Sequence, residues 1–342
     1  MSSSRYEEAG VSIDAQDRAI DGIKESVSRT ATERVLAGIG SFGGLFDGRF
    51  NDLEHPVLVA STDGIGTKLK IAFDSGRHDT VGQCLVNHCI NDILVQGARP
   101  LFFMDYIATG KLKPEVVTGI VKGMAEACLA SQCAILGGEM AEMPGFYSAG
   151  EYDVAGFIVG VVDKAKVLGA HHVRVGQRLL GLGASGLHTN GYSLARKIIF
   201  EEQGLGLNDR VPGMNEKVVD ALLAVHRSYY PILKPLLEKD LIQAMSHITG
   251  GGFLDNIPRV LPPDTDAIIG RDSYPVPPLF QYLKSAGKLD DEAYQVFNMG
   301  IGMVLMVNPD DLESTKQLLS EMGEAVWDLG HIEDGSGKVR LV

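Results

Sequence analysis

The sequence predicts two domains, each layered from strands and helices, and three observations predict it. At 342 residues the chain exceeds what one hydrophobic core usually serves, roughly 100–200 residues. Its first half alternates β-branched strands with amphipathic helices. Near 163–175 the apolar pattern lapses into a polar stretch containing Asp163, Lys164, Lys166, His171, His172 and Arg174, so the domains are expected at 1–168 and 169–342.

In the first half, a polar tail leads into a short amphipathic helix over 17–28 and a glycine-rich segment at 38–44. A β-branched strand over 56–62 runs into Asp63-Gly-Ile-Gly-Thr-Lys68. A helix over 80–96 stops at Gly97, and a strand over 100–109 follows. Pro114 opens the next helix, whose apolar stripe is Val117, Ile120, Val121, Met124 and Cys128. Strands over 134–139 and 153–162 complete this half. The second half reads as a strand over 178–183, helices over 191–203 and 216–238, and a strand over 244–249. A helix near Phe253, a strand over 266–270, a helix over 277–286, a strand over 299–308, a helix over 310–322 and two short strands follow.

Composition excludes several classes. A net charge of −13 with no basic run argues against nucleic acid as a partner. No run reaches ~18 apolar residues and the first residues lack an apolar signal region, so no membrane partner and a cytoplasmic location are expected. Cys84, Cys89, Cys128 and Cys133 lie in apolar segments without CxxC spacing and read as small packed hydrophobes. Glycine is the unusual number: 41 of 342 residues, about 12%, against an average near ~7%. Glycine belongs where backbone takes positive φ or closely approaches another backbone or a ligand.

Two segments, 38–43 and 181–186, match G-x-G-x-x-G. Neither opens a helix directly with an acid ending the next parallel strand, so dinucleotide binding is rejected. The stronger signal is acids beside glycines. Asp63 follows a strand with Thr67 and Lys68 close behind, Asp92 interrupts an apolar helix with Asn87 and Asn91, and Glu139 follows two glycines. Each has an ordinary structural use, but together they suit Mg²⁺ and the neutralisation of phosphate charge. In the second half, Ser185-Gly-Leu-His-Thr-Asn-Gly191 and Ser246-His-Ile-Thr-Gly-Gly-Gly252 gather hydroxyls, histidines and backbone donors suited to a phosphate monoester.

Eight motifs in order carry a resemblance: Asp63-Gly-Ile-Gly-Thr-Lys68, 91–97, 105–111, Gly137-Gly-Glu-Met-Ala-Glu-Met-Pro-Gly145, 152–157, His188-Thr-Asn-Gly-Tyr-Ser193, His247-Ile-Thr-Gly-Gly-Gly-Phe253 and 297–303. From about Tyr6 onward the chain resembles the phosphoribosylformylglycinamidine cyclo-ligases, or aminoimidazole ribonucleotide synthetases; Met140 and Leu187 stand where that family often has Thr and Pro. The resemblance implies an α+β fold of two α/β-layered domains, with N-terminal domains pairing in a homodimer whose strands form a shared β-barrel. It implies ATP-dependent cyclisation of formylglycinamidine ribonucleotide in purine biosynthesis, through phosphorylation of the formyl oxygen and attack by an amidine nitrogen.

ATP is then expected against Asp63, Gly64, Thr67, Lys68, Asp92, Gly137, Gly138 and Glu139, helped by Gly40 and Gly43, with Lys24 a further nucleotide contact. Asp63, Asp92 and Glu139 are the expected Mg²⁺ ligands, and Lys68 the phosphate contact. Ser185, Thr189, Asn190, Thr249, Gly250 and Gly251 are expected at the substrate, with His247 or His188 carrying the proton. A selenophosphate synthetase would have a cysteine before Cys84, and a hydrogenase-maturation dehydratase one at the C-terminus; neither is present. The thiamine-phosphate kinases and the amidotransferase one step earlier lack the 137–145 segment in this form. From another class, a non-catalytic nucleotide-binding dimer is the alternative.

Overall fold

The computed structural model describes residues 5–342 apart from 38 and 41. The chain divides into two compact units, one of residues up to 93 with 99–163, the other of 94–98 with 164–342. Among the described residues, the first unit holds a four-stranded sheet of β1 (Pro56–Gly64), β2 (Arg99–Thr109), β3 (Ala134–Glu142) and β4 (Tyr152–Asp163), ordered β1-β4-β2-β3. β4 pairs antiparallel with both β1 and β2, while β2 and β3 are parallel and joined through the helix Pro114–Ala130.

The first helix, Ile13–Arg29, begins four residues earlier than its apolar spacing suggests, because Ser12 caps it by accepting the Ala15 N–H at 3.2 Å. Its buried positions include Ala15, Ala19 and Val27, and it packs on Pro114–Ala130. The helix Asp79–Leu94 is held so close to Pro114–Ala130 that a Cβ on Gly82 would fall 2.0 Å from the Ile120 carbonyl oxygen. That backbone contact fixes the face carrying His88 and Asp92. A helix at Leu69–Ser75, absent from the sequence reading, follows the turn Gly66–Lys68.

Two strands run longer than expected. β1 continues to Gly64, so Asp63 is a strand residue facing Gly156 of β4. β3 continues to Glu142, because pairing with β2 persists through Gly137 and Gly138 instead of turning there. Glu139 therefore lies inside an edge strand.

In the second unit, the described strands β5 (Arg178–Gly183), β6 (Ala244–His247), β7 (Thr265–Ile269), β8 (Ile301–Val307), β9 (Val326–Asp334) and β10 (Val339–Leu341) form a sheet ordered β10-β7-β9-β5-β8-β6. β8 is buried along its whole length, which is why it reads as an unbroken apolar run. β9 is a full interior strand rather than a short one; its half-buried, non-alternating pattern hides its length. The helix expected over 191–203 is Tyr192–Arg196 followed by a π-helical turn, Lys197–Glu202. The helix expected over 216–238 is two helices, Val218–Leu223 and Tyr230–Glu238, with 224–229 non-helical between them. Pro231 in the first turn of the second helix was the available signal for that break.

Candidate active site

In the first unit, the centre is a carboxylate–imidazole cluster. His88 Nε2 lies 2.9 Å from Asp63 Oδ2 and 3.9 Å from Asp92 Oδ2. Asp63 comes from β1, and His88 and Asp92 sit four residues apart on one face of the helix Asp79–Leu94. Asp63 Oδ1 also accepts the Gly64 N–H at 2.7 Å, and Asp92 Oδ2 accepts the Ser61 hydroxyl at 3.2 Å. The imidazole is buried at 4% exposure, whereas the Asp63 and Asp92 side chains keep 34% and 25%. Burial pushes the His88 pKa down, but the hydrogen bond to Asp63 and the charges of Asp92 and Asp63 outweigh it, and the net shift is upward. Two partly open carboxylates thus lie beside one buried imidazole, and carboxylate oxygens are the donors that a hard cation takes.

The other expected residues of this unit divide. Lys68 is fully buried, and its ammonium donates to Cys84 Sγ at 3.2 Å. Thr67 beside it is exposed. Glu139 is exposed on β3, opposite Tyr106, whereas Asp63 shares the in-register row of Gly156, Asp105 and Gly138. Adjacent rows face opposite sides of a sheet, and β1 and β3 are its two edges, roughly 14 Å apart if flat. Within one chain Glu139 is therefore not brought to Asp63 and Asp92. Among the described residues, no potential metal-holding group unites these three acids. Gly137 and Gly138 lie within β3, and Gly40 and Gly43 have open space around them. Gly38 of the same loop lies outside the described residues. Lys24 is on the exposed face of its helix, paired with Asp21 at 2.7 Å.

Sequence reasoning missed two residues here. His88 was detectable from its four-residue spacing to Asp92. Asp105 stands out in the sequence only as part of a motif; it is buried beneath the sheet and burial raises its pKa to about 7.

In the second unit, the two donor-rich loops meet around three buried histidines, His188, His226 and His247. His188 Nε2 accepts the Ser185 N–H at 3.2 Å, and its ring stacks on His226 with centroids 3.9 Å apart. Asn190 Nδ2 reaches Thr189 Oγ1 at 3.5 Å, and a Cβ on Gly250 would lie 3.3 Å from Asn190 Oδ1. Asn256 then ties the glycine loop, donating to the carbonyls of Thr249, Gly250 and Gly252, while Thr249 Oγ1 donates to Asn256 Oδ1. Gly252 has φ +56° and a Cβ there would fall 2.0 Å from the Tyr294 carbonyl oxygen, so no other residue fits. The structure thus brings Ser185, His188, Thr189, Asn190, Thr249 and Gly250 near one another, with Gly251 at φ +97° in the same loop. His226 was missed because its segment read as helix interior.

These features define a class. Residues 49–162 match the N-terminal domain, and residues 174–342 the C-terminal domain, of the AIR synthase related proteins. The chain is 49% identical to the phosphoribosylformylglycinamidine cyclo-ligase of Geotalea uraniireducens, covering 100% of both chains, and 50% identical to that of Geobacter sulfurreducens, covering 98% of each. It belongs to the phosphoribosylformylglycinamidine cyclo-ligase family. Two solved structures share the fold at low identity. A thiamine-monophosphate kinase from Stenotrophomonas maltophilia matches with TM-score 0.70 at 16% identity over 95% of each chain. The hydrogenase maturation protein HypE in complex with ATP matches with TM-score 0.71 at 17% identity, covering 98% of this chain and 93% of that one. No helix among the described residues is long and apolar enough to cross a membrane.

Proposed function

We propose that this chain is an ATP-dependent cyclo-ligase that converts formylglycinamidine ribonucleotide to aminoimidazole ribonucleotide in purine biosynthesis. The observation that carries this reading is the end-to-end likeness, near one residue in two, to cyclo-ligases of the same length. The formyl oxygen takes the γ-phosphoryl group of ATP, releasing ADP. An amidine nitrogen then bonds to the formyl carbon, sheds its proton to a base, and the carbon–oxygen bond breaks with release of phosphate.

The carboxylates of Asp63 and Asp92 fit Mg²⁺, and they would hold it with ATP phosphates completing its shell. When bound, the cation neutralises charge on the transferring phosphoryl group. His88 anchors Asp63 through its hydrogen bond, and Gly64 holds the other oxygen of the same carboxylate. The loops 185–191 and 247–252 bind the ribose phosphate through hydroxyls and backbone N–H groups, and His247 or His188 accepts the amidine proton. Catalysis on this account is positioning and electrostatic stabilisation more than covalent chemistry.

The working form is a homodimer in the cytoplasm. Support for the dimer comes from the uncovered face of the first sheet, where Leu58, Met104 and Phe157 are exposed at 64%, 40% and 46% and Phe157 is in register with both Met104 and Thr62. A sheet face this apolar is normally covered by a second layer. Phe157→Asp is expected to shift the protein from dimer to monomer in sedimentation velocity; an unchanged dimer would place the interface elsewhere. Four buried, unbridged cysteines suit a reducing compartment.

The test of the function is direct. Purified protein with ATP, Mg²⁺ and formylglycinamidine ribonucleotide should yield aminoimidazole, followed by diazo coupling, in step with ADP. ADP without aminoimidazole would point to a kinase of the same fold, and neither product to a binding protein.

A further inference from the structure

The non-helical segment 224–229 is bound on both sides into the second unit's loops. The Val225 carbonyl accepts the Ser185 hydroxyl, and Thr189 Oγ1 lies 3.4 Å from His226 Nδ1. Arg227 and Tyr229 both donate to the Gly183 carbonyl, at 3.2 and 2.7 Å, and Arg227 is clamped by both oxygens of Glu324. At the centre, His226 is fully buried, with its Nε2 3.1 Å from Nε2 of His247.

A cluster of three imidazoles invites a metal reading, and the ring geometry opposes it. Two imidazoles share an ion only when both lone pairs, lying in their ring planes, point at it from about 2.0–2.1 Å. The His188 and His226 rings are stacked 3.9 Å apart with planes only 13° from parallel. An ion between them would sit well out of at least one plane.

We propose instead that His226 is a positioning residue for His247, fixing its orientation and tautomer for the ring-closing step. This rests on His247 as the proton acceptor and adds a residue that the reading above does not contain. The two facing Nε2 atoms share a single proton, so the tautomer of one ring dictates that of the other. With its own proton on Nδ1, directed to Thr189 Oγ1, His226 offers an Nε2 lone pair that accepts the His247 Nε2–H. His247 then presents Nδ1 as its basic nitrogen. The opposite arrangement puts the His247 proton on Nδ1 and ties its one basic nitrogen, Nε2, to the His226 Nε2–H. When an amidine N–H bond breaks and its proton moves to Nδ1, the resulting imidazolium keeps the Nε2–H bond to His226, which spreads the positive charge.

A double-mutant cycle tests this. His226→Leu should lower kcat by on the order of 10- to 100-fold with substrate KM within about threefold, a fraction of what a full general base contributes. His226→Gln, whose amide oxygen can accept the same proton, should recover part of that loss, and it remains informative should the leucine variant not fold. In a His247→Ala background, His226→Leu should cost nothing further. Ring ¹⁵N shifts of selectively labelled protein should show His247 leaving the Nε2–H tautomer in His226→Leu. Additive losses, or a normal kcat for both His226 variants while His247→Ala is impaired, would overturn the positioning role and leave the proposed function standing. Full activity of His247→Ala would overturn both the proton-acceptor role and this proposal.

Discussion

The two units solve different physical problems with different residues. The first gathers charge: two carboxylates and an imidazole of raised pKa, held by a strand and a helix and left partly open. The second gathers hydroxyls, backbone amides and imidazoles, held in loops by side-chain to backbone hydrogen bonds, with the histidines and Thr189 buried. Open carboxylates suit a metal-bound polyphosphate, whose shell must be completed by the ligand. Donors already tied by hydrogen bonds suit a site that need not rearrange when it binds, since their geometry is fixed beforehand. On the proposed function, charge lies where phosphate charge moves, and fixed hydrogen bonds lie where a carbon and a nitrogen must meet.

The largest effect is expected of Asp63→Asn. Loss of one carboxylate charge should lower kcat by on the order of 10²–10³-fold, while thermal denaturation shows a fall of only a few degrees, since the amide still reaches His88 and Gly64. Near-normal turnover at saturating Mg²⁺ and ATP would remove the metal role from this cluster. Gly252→Ala probes the opposite unit. A residue with φ +56° and a carbonyl 2.0 Å from its Cβ should cost roughly 1–2 kcal/mol in backbone strain plus the clash. Substrate KM should rise at least about tenfold while the KM for ATP holds; equal loss in both would show that the two sites are not separable.

The smallest expected effect concerns Asp105. Its carboxyl keeps a proton to about pH 7 in the fold but releases it near 3.8 when unfolded. The folded state binds the extra proton between those values, so this group's contribution to stability falls as pH rises through that window, by at most about 1.4 kcal/mol per unit. Urea unfolding of Asp105→Asn at pH 5 and pH 8 should show the smaller difference. Identical slopes for variant and parent would mean that the native carboxyl is already ionised.

Much of this was legible beforehand because it depends on short spacing. The strand at β8 is an apolar run, the helix at Pro114–Ala130 has its proline at the start and its stripe in phase, and the loops 185–191 and 247–252 announce their chemistry by composition. The errors share a cause. Gly137 and Gly138 suggest a turn only until a parallel partner is known to continue beside them, and 216–238 reads as one helix until His226, Arg227 and Tyr229 are seen to find partners elsewhere. Lys68 shows the same thing in reverse: its place after Gly66 and Thr67 suggests a phosphate contact, while the fold encloses it against Cys84.

By itself, then, the sequence determined the order of elements, the acids and hydroxyls available, and the family to which they belong. Periodicity and spacing are local properties, and covalent order preserves them. Only the tertiary structure decided which groups meet: His88 with Asp63 across 25 positions, His226 with His247 across 21, and Glu139 on the opposite edge and face from the acids it was expected to join. Those outcomes follow from sheet register and from the face each helix buries, where one residue of displacement reverses a side chain's direction.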